Sequence, residues 1–233
     1  PRYLYMTEPT IGVAIPCYKG HIPALERLFK SIQEQTLQPN MVVVSCSSST
    51  DDDVKHLYDK YPFPLKIITT ETRQNTAINR NIAGKQLKTD IISFFDADDI
   101  MHPDRLLVLV SMYSQNHPTI VAPDIPGFGL LLLHNYSSGE TTNFQPLESA
   151  DIGISGPGIP MNDREHSAFA HCAVSRCIFE EQQFPESIIF ERCEDRAYVT
   201  ILSVTNRVMR VYIHNRLSHY MPSFSWTTTL KKN

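Results

Sequence analysis

The feature that most limits how this chain can fold is an alternation in its first half. Short, apolar, β-rich runs, TIGVAI (10–15), MVVVSC (41–46), LKIITT (65–70) and DIISFF (90–95), are separated by stretches with helical spacing. Near-continuous apolar runs of this length suit parallel strands buried on both faces. Between the first two, Leu25, Leu28, Phe29 and Ile32 fall at i, i+3, i+4 and i+7, one face of a helix over 23–36. SSSTDDD (47–53) supplies caps for a helix carrying Val54, Leu57 and Tyr58. Residues 74–87 read as a helix with Ile78 and Ile82 inward, and Pro103 suits the first turn of a helix continuing through Leu106 to Tyr113. The order predicts an α/β fold: a mostly parallel central sheet with helices on both faces. In such sheets ligands bind at the carboxyl ends of the strands.

The pattern changes after residue 122. Six of the nine glycines lie between Gly127 and Gly158, among several prolines. GFGLLLLHNYSSGETTNF reads as a hairpin turning near Ser137–Glu140, and residues 149–166 as a Gly/Pro-rich lid. A helix over Glu194–Thr205 and a strand, VMRVYI (208–213), follow. The expectation is one domain with two halves, 1–122 and 123–233, the second smaller and carrying its own small sheet.

Charge and composition exclude several classes. A net charge of −4 and a pI near 6.1 argue against a nucleic-acid partner, which demands a basic face. No apolar run approaches the roughly 18–20 residues of a transmembrane segment, and PRYLYMTEPT does not resemble a signal peptide. Five cysteines without a CxxC pair point to free thiols in a reducing compartment. A soluble cytoplasmic protein is therefore expected, either whole or as one domain of something larger.

The chemistry gathers at FFDADDIMHPDRL (94–106). A bare D-x-D is weak evidence, since Asp51–Asp53 matches it too and there suits a helix start. Asp96 and Asp98 differ in following a buried strand directly, and alternate residues of an extended segment point the same way. Clustered carboxylates suit Mg²⁺ or Mn²⁺; read from the residues alone, a metal site and a helix-capping cluster stand about even. The absence of GxxxxGK[ST] excludes a P-loop kinase. An aspartyl-nucleophile phosphatase would carry its D-x-D after the first strand.

Six segments in order resemble family-2 glycosyltransferases of the GT-A fold. They are PCY (16–18), the Ser/Thr/Asp-rich turn after the second strand, TRQNTAINRNIAG (72–84), FFDADDIMHPDRL (94–106), FERCEDRAYV (190–199) and NRLSHYMPSFS (215–225). The resemblance implies a nucleoside-diphosphate sugar donor, a UDP-sugar foremost, and a glycan or other hydroxyl acceptor. It implies Asp98 as direct metal ligand, Asp96 nearer the ribose, and His219 on the diphosphate or completing the sphere of Mn²⁺ or Mg²⁺. Pro16 and Tyr18 would line the nucleotide pocket, and Arg73, or alternatively Arg80, would meet the base or diphosphate. Asp195, beside Glu194, would be the general base of an inverting transfer. The first half would bind the donor and the second the acceptor.

The sequence departs from the family pattern at SCSSST (45–50), where an Asp-Asp-Gly-Ser turn is usual. Ser45 or Ser47 would have to replace the base contact, which leaves the base open. Arg196 stands where an aromatic residue often follows Glu-Asp, which leaves the acceptor open. The rival readings are a non-catalytic sugar-nucleotide-binding module and a sugar-nucleotide nucleotidyltransferase. The second would need a glycine-rich phosphate loop, which IPCYKGHIP (15–23) does not provide.

Overall fold

The computed structural model describes residues 8–118, 122, 124–142, 144, 146–147, 152–156 and 168–222. In chain order the elements of the first half are β1 (Ile11–Tyr18), α1 (Ile22–Gln33), β2 (Met41–Ser47), α2 (Asp51–Val54), β3 (Leu65–Thr70), α3 (Thr76–Gln86), β4 (Ile91–Phe94), β5 (Ile100–Met101) and α4 (Arg105–Gln115). The second half adds β6 (Gly129–Ser138), β7 (Ile152–Ser155), β8 (Ala173–Ser175), α5 (Arg176–Glu181), α6 (Glu194–Ser203) and β9 (Val208–Tyr220).

The nine strands among the described residues join one sheet in the order β3-β2-β1-β4-β8-β6-β9-β5, with β7 also on β9. The four strands expected from the apolar runs pair in parallel, β3-β2-β1-β4. Antiparallel pairing of β4 with β8 then carries the second half onto the same sheet. The pleat sorts side chains strictly: Val13, Ile15, Val42 and Val44 pack with α1 and α4, whereas Ala14 and Val43 pack with α3, α5 and α6. Both faces are thus covered, which is why these strands contain almost no polar residue until they reach their carboxyl ends.

Local chemistry sets several boundaries. α2 is closed by a capping box in which Thr50 N–H donates to Asp53 Oδ2 at 2.9 Å, and a single 3₁₀ turn, not more α-helix, carries Leu57 into the core. The side chain of Asn75 accepts from Ile78 N–H at 2.9 Å and starts α3. Pro103 lies outside α4: Arg105 N–H bonds back to His102 O, so a turn precedes the helix and Pro103 lies within it.

Three expectations are corrected. GLLLLHNYSS forms one strand, β6, paired antiparallel with β8 and parallel with β9, and not the first arm of a hairpin. Its partners lie far along the chain, and the turn signals after Ser137 end the strand instead of reversing it. Of the segment expected to be a lid, residues 152–155 are strand β7 on β9, and 149–151 and 157–166 lie outside the described residues. Within α3, Ile78 and Ile82 are only half-buried, and the buried face carries Asn79, Arg80 and Asn81 with Ala77, Ala83 and Gly84. The five cysteines are free, as expected.

Candidate active site

A crevice of about 950 Å³ opens at the carboxyl ends of β1 and β4. Its walls include the end of β1 (Pro16, Tyr18), the start of α3 with the residues before it (Arg73, Asn79, Arg80), the turn after β4 (Asp96, Asp98) and the start of α6 (Glu194, Asp195). Tyr18 is the first exposed residue of its strand, its ring 4.2 Å from that of His21. Arg73 stands on the rim, 81% exposed at its side chain and bonded to Glu191 Oε1 at 2.7 Å.

Arg80 is the reverse of Arg73. Its side chain is 2% exposed, with Nη2 donating to Asp96 Oδ1 at 2.7 Å and Nη1 to Glu194 Oε1 at 2.6 Å. Burial works against its charge, but Asp96, Glu194 and Asp195 outweigh that and hold its pKa above the ordinary value. Asp195, half-buried in the first turn of α6, accepts its neighbour Arg196's N–H at 2.7 Å through Oδ1. Both acids of this pair sit at the positive end of the helix dipole.

Ser47 does not face the crevice. It is fully buried and accepts from Asn79 Nδ2 at 3.1 Å, while Asn79 also donates to Cys17 O and accepts from Ser45 Oγ. Ser48 takes the lining position, in a left-handed backbone conformation with φ of 54°. Asn79 therefore stitches the ends of β1 and β2 together at the base of the crevice.

The acidic turn divides into two environments. Asp98 reaches the crevice, with His21 Nε2 3.8 Å from its Oδ2 and its carbonyl accepting from Arg27 at 2.7 Å. Burial, then Asp99 and Asp96, push its carboxyl up to about 6. Asp99 turns inward, accepting Met221 N–H at 2.8 Å and standing 3.1 Å from His171 Nε2. Burial and Asp96 push it up to about 8, and burial pushes His171 down to about 3, which leaves a neutral imidazole.

Ligand atoms of Asp96, Asp99 and His171 all lie within 4.8 Å of one another. Despite its approach to Asp99, neither ring nitrogen of His171 has a partner of hydrogen-bond geometry. Asp96 and Asp99 crowded beside an unpartnered neutral imidazole, with Asp99 held above its ordinary pKa, fit a divalent cation. His219 was expected in that role. It is buried instead at the end of β9, with Nδ1 2.8 Å from Ser137 Oγ and Nε2 3.1 Å from Gly139 O, so both nitrogens are occupied.

The family model for glycosyl transferase family 2 matches residues 12–174, from β1 through β8. The chain belongs to glycosyl transferase family 2. An uncharacterized glycosyltransferase of Haemophilus influenzae is 29% identical over 108 residues, 46% of this chain and 35% of that protein. Uncharacterized glycosyltransferase YwdF of Bacillus subtilis is 32% identical over 97 residues, 41% of this chain and 35% of that one. Among solved structures, S. aureus TarS 1–349 in complex with UDP superposes with a TM-score of 0.65 at 19% identity, covering 92% of this chain and 61% of TarS 1–349. The mannosyltransferase PcManGT of Pyrobaculum calidifontis, in complex with GDP-Man and Mn²⁺, gives 0.58 at 16% identity, covering 96% and 60%. The fold of this family-2 chain is GT-A, and the chain spans about a third of these curated relatives and about 60% of these solved chains.

Several polar residues at or beneath the crevice do not stand out in the sequence. Asn79 and Asn81 sit in a helix whose apolar spacing is weak, and the run NRN inside it was the available signal. His171, in FAHCAV, carries no motif that sets it apart, whereas Glu191 lies within FERCEDRAYV, where Glu194 and Asp195 draw the attention.

Proposed function

We propose that this crevice transfers a sugar from a nucleoside-diphosphate donor, a UDP-sugar foremost, to a hydroxyl of a glycan or similar acceptor, with inversion at the anomeric carbon. The observation that carries the reading is the convergence of Asp96, Asp98 and Asp195 on one crevice at the strands' carboxyl ends. Family membership supports it, as do the UDP, UDP-GlcNAc and GDP-Man complexes of the structurally similar proteins.

In this reading residues 1–122 take the donor and 123–233 contribute the acceptor side. Pro16 and Tyr18 flank the nucleotide, and Arg73 on the rim exchanges Glu191 for the diphosphate. Asp195 accepts the proton of the acceptor hydroxyl while its oxygen bonds to the anomeric carbon and the bond to the diphosphate oxygen breaks. Asp96 and Asp98, backed by Asp99 and His171, would hold Mn²⁺ or Mg²⁺. When bound, the cation would offset negative charge on the departing diphosphate.

A panel of nucleotide sugars with Mn²⁺ or Mg²⁺, scored by thermal shift and by transfer, tests the reading. Asp195→Asn is expected to keep donor binding and lose transfer by about 10²–10⁴-fold. Asp98→Ala is expected to abolish the cation-dependent part of donor binding. Donor binding by the wild type without turnover of any acceptor would instead support a binding module.

A further inference from the structure

We propose that Arg80 is a positioning residue that fixes the spacing between the donor-side acid Asp96 and the helix that presents Asp195. The inference rests on the transferase reading above. Its starting point is geometry: one buried guanidinium donates through Nη2 to Asp96, just beyond β4, and through Nη1 to Glu194, the first residue of α6. Those two acids lie almost a hundred residues apart and on different halves of the chain. No peptide segment joins them directly, so a rigid planar fork between them sets a distance that backbone alone does not.

The fork is itself held in place. Its carbon lies 5.3 Å from the centre of the Phe184 ring, and Phe184 in turn stacks on Tyr198 of α6 at 3.9 Å. Asn81, one residue on in α3, binds the Phe184 backbone at both its N–H and its carbonyl, each at 3.0 Å. Arg80 therefore cannot follow Glu194 outward without breaking packing on two elements. Asp195 follows Glu194 directly, so its carboxylate inherits the register of that contact. The bond to Arg80 takes one acceptor site of Asp96 Oδ1 and leaves the rest of that carboxylate for a ligand.

Lysine separates the two roles. Its single ammonium carries charge but cannot span two carboxylates with a planar fork. In Arg80→Lys, kcat is expected to fall about 100-fold, the effect of a small misplacement of a reacting group, while donor KM changes far less. The assay is run at a temperature where circular dichroism shows the variant fully folded. Arg80→Met/Glu194→Gln covers the case in which lysine does not fold, because it removes a buried charge together with one of its partners. Its kcat is expected to match that of Arg80→Met alone, since both changes break the same link. A folded Arg80→Lys enzyme within about threefold of wild-type kcat, or multiplicative losses in the double variant, overturns the positioning role while the transferase reading stands. Wild-type protein that transfers no sugar overturns both.

Discussion

Asp99 is a carboxylic acid that the fold keeps from ionising. It lies behind the crevice among Asp96, His171 and the Met221 N–H, and burial with Asp96 pushes it up to about 8 from an ordinary 3.8. The sign follows from proton counting. Below the ordinary value both states hold the proton, and as pH rises toward 8 the unfolded chain releases it while the native chain does not. Asp99 therefore costs increasing stability across that window. We expect wild-type melting temperature, measured in EDTA, to decline from about pH 4 to 8 more steeply than that of Asp99→Asn, which keeps the Met221 contact without the charge. Mn²⁺ is expected to reduce the wild-type slope, and parallel pH profiles would contradict this assignment.

At the scale of elements, α3 does work that its composition conceals. One face binds strand ends through Asn79, the crevice acids through Arg80 and the segment before α6 through Asn81. Gly84 lets its last turn approach α5: a Cβ there would lie 2.6 Å from Phe179 Cζ. Phe179 is 1% exposed and packed on Phe94, so its ring must give way inside the core. Gly84→Val is expected to lower unfolding free energy by about 1–3 kcal/mol in urea titration, as overpacking does. Asn81→Ala removes both partners of the buried Phe184 backbone and is expected to cost about 2–3 kcal/mol in the same measurement.

At the scale of the whole molecule, the β4–β8 pairing makes one sheet of two halves that differ sharply in composition. Two separate cores would unfold separately, but here both core clusters draw residues from each side of residue 122. A single transition is expected, with far- and near-ultraviolet circular dichroism coinciding through urea unfolding. Resolved steps would mean that the second half is an independent unit. No helix among the described residues is long and apolar enough to cross a membrane.

The sequence by itself determined the parallel half of the sheet, and it did so because both faces of β1, β2 and β4 are buried, with β3 at the edge carrying the weaker pattern. The runs at 10–15, 41–46, 65–70 and 90–95 match β1 to β4 to within three residues, since continuous apolarity is the direct imprint of helices above and below. The order of the motifs was enough to reach the family. Only the tertiary structure decided which polar groups meet. β6 shows the first reason: its partners β8 and β9 are distant in the chain, so a local turn signal could not foretell its pairing. His219 and His171 show the second. Each is a buried histidine, yet hydrogen bonds to Ser137 and Gly139 occupy one, while the other faces Asp99 with no bond of good geometry. Arg80 shows the third, a charge in a helix interior that is tolerable only because Asp96 and Glu194 reach it from opposite halves of the chain. Burial of a polar group is decided by its partners, and those partners are assembled by the fold.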